Sequence, residues 1–261
     1  MDERLIYVYC TSCFPPESNL VFSEENLEIF KYDNLHVVAR YVSPDDFSEE
    51  NLKKNFGDLA WIEEQTREHI RIINLAMQWA TVVPFKFGTV FKTEDSLEKF
   101  FDDYRQALSE NLDTLKGKEE WALKIFCNNS LLQAHINQNC EAAKALQHDI
   151  AESKPGRSFI LKRKLAELIK DETHKQVGIY GQFYFEQVEK LSSQTRVNPL
   201  LPKEVTERTE DMILNIACLV EKSQVDVLIR KTEVLQEEFR DAGLKPEVTG
   251  PWPPFSFITL K

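Results

Sequence analysis

Apolar positions in this chain alternate between a two-residue period and a three-to-four-residue period. Arg4-Leu5-Ile6-Tyr7-Val8-Tyr9 is rich in β-branched and aromatic residues and predicts a strand. Cys10 to Cys13 and then Phe14-Pro15-Pro16 stop it. Residues 27–32 and 36–42 predict a hairpin, with Asp33-Asn34 supplying the turn. Ser43-Pro44-Asp45-Asp46 ends the second strand and caps a short helix. A long helix is predicted over 58–79, because Leu59, Ile62, Thr66, Ile70, Ile73 and Met77 fall on one face. Residues 81–88 are extended, and Pro84 argues for an edge strand or loop. Another amphipathic helix opens at Asp95-Ser96-Leu97, with Leu97, Phe101, Tyr104, Leu108 and Leu112 on its stripe. Gly117 is placed to end it.

A domain boundary near Gly117 divides the pattern into an N-terminal α+β domain, residues 1–117, and a C-terminal domain, residues 118–261. In the second, Trp121, Leu123 and Ile125 alternate in a strand over 120–126. Helical patterns cover 130–153 and then 156–192, where Gly178 and Gly181 predict a kink or break. A weak strand over 195–201, a strong strand over 211–220, a helix over 223–242 and a last strand containing 255–260 follow. Strand, helix, weak strand, strand, helix, strand is the order of a ferredoxin-like domain, here with a helical insertion. The fold class is therefore α+β in two domains.

Composition narrows the function classes. The 261 residues are 42% hydrophobic and 29% charged, a globular profile rather than a disordered one. A net charge of -11 opposes nucleic-acid backbones and anionic lipid surfaces. Met1-Asp2-Glu3 is acidic where a secretory signal would be basic, and the apolar run 212–220, broken by Asn215, is too short to cross a bilayer. The five scattered cysteines fit a reducing cytosol better than a disulfide framework. A cytoplasmic location, with no nucleic-acid and no membrane partner, is expected.

Five segments then occur in one order along nearly the whole chain. They are His69 followed by Thr81-Val82-Val83-Pro84-Phe85-Lys86-Phe87-Gly88-Thr89-Val90-Phe91; Glu120-Trp121-Ala122-Leu123-Lys124; Lys154-Pro155-Gly156-Arg157-Ser158-Phe159-Ile160; Leu214-Asn215-Ile216-Ala217-Cys218-Leu219-Val220; and Glu247-Val248-Thr249-Gly250-Pro251-Trp252-Pro253-Pro254-Phe255-Ser256-Phe257. Together they resemble the gas vesicle protein F/L family. The resemblance implies a minor gas-vesicle protein that takes part in assembly. It implies contact with the small hydrophobic shell protein and with other gas vesicle accessory proteins. It likewise implies a two-domain α+β structure with a modified ferredoxin-like half, and it brings no cofactor.

Local chemistry supplies candidate partner-binding residues. The prolines at 251, 253 and 254 fix φ and remove backbone donors around Trp252. Pro251, Trp252, Pro253 and Pro254 thus form a stiff segment that either presents an aromatic to an apolar partner or packs Trp252 into its own domain. Arg157 follows Pro155-Gly156 at the start of a helix, with Lys162, Arg163 and Lys164 beyond, and is either an anion or acidic-partner site or part of a solvated face. Gly88 permits a positive φ in a turn bracketed by aromatics. His69 reads as a helix-to-sheet hydrogen-bonding group, with a proton switch or a ligand as the alternative. Cys10 and Cys13 offer a redox or metal-dependent enzyme as an alternative from another class. Yet no second pair or paired histidines accompany them, and no helix start follows. His135, Cys140 and His148 lack a shared face for a metal, and Asp45-Asp46 and Asp102-Asp103 point apart on helices. No G-x-S-x-G, Walker, G-x-G-x-x-G or H-E-x-x-H signature is present. A non-enzymatic assembly protein is the first expectation, and a static minor component of the vesicle wall is the second.

Overall fold

The structure, a computed structural model, describes residues 4–13 and 26–260. Met1–Glu3 and Phe14-Pro15-Pro16, which the sequence reading used, lie outside them. The chain divides into two compact units. The first takes residues up to Glu120 and returns for 251–261; the second is Trp121–Gly250.

Strand β1 (Leu5–Ser12) runs through the centre of the first unit's sheet and is buried at every position. A strand covered on both faces reads as a continuous apolar run, which is how this segment reads. Its antiparallel partner β3 (Leu35–Val42) pairs in turn with β2 (Glu28–Tyr32). Asp33 takes a positive φ in the turn between β2 and β3, a conformation Asp tolerates better than most residues. The short strands β4 (Val83–Pro84) and β5 (Val90–Phe91) flank β1 on its other side. The order is β2-β3-β1-β4, with β5 also on β1. Pro84 sits at the sheet margin, where its missing N–H is least costly.

Two short helices, α1 (Pro44–Phe47) and α2 (Glu49–Asn55), precede α3 (Leu59–Met77). Asp58 caps α3 by accepting from the N–H groups of Ala60 and Trp61. The buried face of α3 is His69, Ile72, Ile73 and Ala76, and it packs on β1. Helix α4 (Glu94–Leu115) starts at a capping box formed by Thr93 and Ser96. It buries Leu97, Phe101, Leu108 and Leu112, four of the five positions the period selects.

The second unit carries a four-stranded sheet in the order β7-β8-β6-β9, from β6 (Lys118–Cys127), β7 (Gln194–Val197), β8 (Asp211–Glu221) and β9 (Leu244–Trp252). Between β6 and β7 lie α5 (Asn129–Asn139), α6 (Glu141–Glu152) and α7 (Pro155–Glu189). A short α8 (Lys203–Thr206) precedes β8, and α9 (Val225–Glu238) lies between β8 and β9. The core joins Leu123 and Ile125 of β6, Ile216 and Cys218 of β8, Tyr184 and Val188 of α7, and Leu228 and Leu235 of α9. The Tyr184 hydroxyl, buried among them, donates to the Leu235 carbonyl at 3.1 Å.

Four elements differ from the pattern. Of the face predicted for α3 only Ile73 is buried, Leu59 is exposed, and His69, Ile72 and Ala76 complete the buried face. The single helix expected over 130–153 is two, divided at Cys140. The kink or break expected at Gly178 or Gly181 does not occur, and α7 runs unbroken for 35 residues, about 52 Å. Gly181 serves a close approach instead: a Cβ there would stand 3.3 Å from the Ile213 carbonyl of β8. The strand expected over 255–260 is absent among the described residues. The last strand is β9, ending at Trp252, and Phe255–Phe257 form a 3-10 turn. Residues 251–261 thereby group with the first unit, a division that differs from a second domain running from 118 to 261.

Candidate functional site

The surface feature with the most construction behind it lies in the first unit. It is an apolar groove of about 540 Å³. Val83, Phe85, Phe100, Phe255 and Ile258 form most of its lining, and Lys86 is the charged member. Two chain segments wall it, 83–89 and 255–260, and each is tied down by polar groups on distant elements.

His69 ties the first segment. It projects from α3 and is only 2% exposed. Its Nε2 lies 3.0 Å from the Phe85 carbonyl, which can only accept, so that nitrogen carries the proton. The bare Nδ1 then accepts from the Tyr7 hydroxyl at 2.9 Å. The Tyr7 oxygen in turn accepts from the Gly88 N–H at 3.1 Å. Donors and acceptors alternate without conflict along this chain, from the turn through β1 and α3 and back to the turn. Gly88 adopts φ 80, which a residue with a side chain would adopt only under strain. Burial drives the His69 pKa down to about 4, so the ring is neutral at ordinary pH. Burial likewise raises Tyr7, which stays a phenol and keeps its proton for His69. Rings of Phe87 and Phe255 pack on the imidazole, at 5.8 and 6.4 Å between centroids. The helix-to-sheet role read for His69 is the one its bonds perform.

The second wall is tied by Glu120 and Asn111. The Glu120 carboxylate accepts from the Ser256 N–H at 3.0 Å and from its hydroxyl at 2.6 Å. The Asn111 side chain on α4 pairs with the Thr259 backbone in both directions, at 3.0 and 2.9 Å, as a strand partner would. Backbone groups in 255–260 are met without a ladder: side chains take the Ser256 N–H and both Thr259 groups, and the Phe255 and Phe257 N–H groups donate to the Pro253 and Pro254 carbonyls.

Of the residues singled out in sequence, Pro251, Trp252, Pro253 and Pro254 lead into this wall. Pro253 and Pro254 are buried, and Pro251 is exposed. Trp252 ends β9 with 45% of its surface exposed. Arg157 belongs to the second unit, exposed in the first turn of α7. Glu120, Asn111 and Tyr7 carry no mark in the sequence of a place at this site. Asn111 and Glu120 stand among other polar residues and Tyr7 within an apolar strand, and neither setting separates a structural tie from an ordinary position.

Cys10 lies on β1, fully buried, and burial raises its thiol. Cys13, just beyond β1, is also raised, first by burial and then by Asp113. Raised thiols are the opposite of the lowered thiol a redox motif uses. His135 and Cys140 line a cavity of about 220 Å³ in the second unit, with Glu172 and Tyr180. His148 instead faces Glu152 at 3.6 Å. Among the described residues no three or more His, Cys, Asp or Glu side chains are grouped to hold a metal. No described helix is long and apolar enough to cross a membrane.

Comparison with known proteins places these features in a family. The family model described as "Gas vesicle synthesis protein GvpL/GvpF" matches residues 5–259. Gas vesicle protein L of Streptomyces sp. (strain CB03234) is 22% identical, over 99% of this chain and 94% of its own length. Gas vesicle protein F of Microcystis aeruginosa (strain PCC 7806) is 24% identical, over 74% of this chain and 76% of its own. The crystal structure of GvpF from Anabaena sp. PCC7120 superposes with a TM-score of 0.69 at 17% identity, covering 99% of both chains. With a family model matched from β1 to the wall of the groove, the chain belongs to the gas vesicle synthesis protein GvpL/GvpF family.

Proposed function

We propose that this protein acts in gas vesicle assembly by binding the hydrophobic shell protein and limiting its aggregation during nucleation. A wall that keeps liquid water from a gas-filled lumen needs a subunit with a large apolar face, and before assembly that face is an aggregation hazard. The groove carries the reading: it is apolar, open, and walled by segments held in place before any partner arrives. A preformed apolar site loses little ordering entropy on binding. The exposed Trp252 beside the stiff prolines adds an aromatic of the kind enriched at interface hot spots. The net charge of -11 keeps such a complex soluble.

In this reading the protein is not an enzyme, and its work is done in the cytoplasm and at the growing vesicle, with other gas vesicle proteins as further partners. The sheet order β7-β8-β6-β9 with α7 and α9 supports a modified ferredoxin-like second domain, into which α5 and α6 are inserted.

The test is capture of the shell protein by the purified full chain, together with light scattering of the shell protein on mixing. Capture at micromolar concentration and reduced scattering are expected, with Trp252→Ala weakening capture about tenfold. Failure to capture at that concentration, with scattering unchanged, ends the proposal. A protein retained on washed, intact vesicles would instead be a static wall component.

A further inference from the structure

The first turns of α7 hold a second surface of different chemistry. Residues 154–164 contain five cationic side chains and no Asp or Glu, in a chain of net charge -11. Arg163 pairs with Glu167 at 3.3 Å. Among the described residues, Lys154, Arg157, Lys162 and Lys164 enter no ion pair, and all four are exposed. Beside them Phe159 is 74% exposed and Ile160 58%.

Neither feature serves the helix. The positions that turn inward are Ser158, Leu161, Leu165 and Leu168, buried or half-buried at helical spacing, and α6 packs against α7. Phe159 and Ile160 fall off that stripe. Cations in the first turns of a helix oppose its dipole, so these weaken the helix slightly rather than support it. On the helix surface Phe159 neighbours Lys162 and Arg163, and Ile160 neighbours Arg157 and Lys164, at spacings of three and four. The apolar side chains are therefore ringed by positive charge.

We infer that this apex of α7 docks an acidic segment of a partner protein that carries its own apolar residues, with Phe159 and Ile160 taking the apolar contact and Lys154, Arg157, Lys162 and Lys164 the carboxylates. Charge complementarity selects the partner. A nucleic acid or an anionic bilayer spreads negative charge over a wide area and would repel the acidic remainder of the chain. A single acidic helix or loop is small enough to meet the apex alone. The inference rests on the reading that the protein works by binding other proteins, but it uses a surface separate from the groove.

The test places a photoreactive benzoylphenylalanine at Phe159 in the full chain, in cells that form vesicles, and maps the cross-linked residues. A parallel chain carries the same group at Trp252. Position 159 is expected to link to a segment of another protein rich in Asp and Glu with interspersed apolar residues. A synthetic peptide of that segment should bind the purified chain, and more weakly as added salt shortens the screening length from about 30 Å to about 8 Å. Arg157→Glu with Lys162→Glu should weaken it about tenfold or more; Phe159→Ser should weaken it several-fold. Circular dichroism checks that the variants fold.

Links from 159 only to lipid, to nucleic acid, to a second copy of this chain or to nothing overturn the inference. So does a linked segment that lacks acidic residues, or a peptide bound equally by the charge-reversed variant. If 159 fails while 252 links to the shell protein, the apex inference alone is lost. If 252 fails and the purified chain captures no shell protein, the assembly reading is lost with it.

Discussion

The groove wall of the first unit and the apex of α7 in the second both offer apolar side chains to the outside, and they are held in opposite ways. The wall is fixed by bonds between residues far apart in sequence: Tyr7 and His69 to the turn at Phe85–Gly88, Glu120 to Ser256, Asn111 to Thr259. The apex is held by the apolar stripe of one helix against its neighbour, and its charged side chains reach into solvent. The first arrangement fixes a shape. The second fixes a charge and leaves side-chain positions adjustable, which suits recognition by charge rather than by fit.

That contrast has consequences of decreasing size. His69→Ala removes two buried hydrogen bonds, strands the Phe85 carbonyl and opens a cavity among aromatic rings. A loss of about 3–5 kcal/mol is expected in denaturant unfolding. A loss below about 1 kcal/mol would mean that the wall is not pinned from α3.

Acid should reproduce part of that effect. The His69 pKa is about 4 in the folded chain and 6.5 in the free side chain. Between those values the unfolded chain takes a proton that the folded chain refuses, so falling pH draws the equilibrium toward unfolding. The contribution is intact above about pH 6.5 and declines toward pH 4, by at most about 3 kcal/mol. Carboxylates titrate in the lower part of this range, so the measurement is the difference in pH slope between the wild type and His69→Gln. Equal slopes contradict it.

Glu120→Gln keeps one acceptor for Ser256 and turns an amide NH₂ toward the other donor. A loss of about 1–2 kcal/mol is expected, with faster hydrogen exchange at the Ser256 amide and little change elsewhere. Phe159→Ser stands at the other end: an exposed position off the packed stripe should change stability by less than about 0.5 kcal/mol. A destabilisation above about 1 kcal/mol would place Phe159 in a packed role and remove the difference between the two regions.

The sequence makes the periodic elements legible, because burial on one face leaves a repeat that any reader of the chain finds. Leu97, Phe101, Leu108 and Leu112 of α4 are an example, and the all-apolar β1 is another. It conceals what depends on distant partners. Phe255-Ser256-Phe257-Ile258 alternates as a strand does, yet Pro253 and Pro254 withhold two backbone donors just before it, and Glu120 and Asn111 claim the backbone beyond. Gly181 invites a kink on propensity alone; the β8 carbonyl that needs the missing side chain is invisible from α7. The groove is less legible. Pro251 to Pro254, which lead into its second wall, stand out by composition, whereas the ties through Tyr7, Asn111 and Glu120 emerge only when separated segments meet.

Because the chain returns to the first unit at Pro251, one wall of its groove is translated only after the whole of the second unit. Some 130 intervening residues must leave the ribosome after Glu120 before Ser256 can reach it, a delay on the order of 10 s at ordinary elongation rates. During that interval the nascent chain has its β1 sheet but an unfinished apolar groove. A partner met before that point would find only half a site, so binding there waits on synthesis of the second unit.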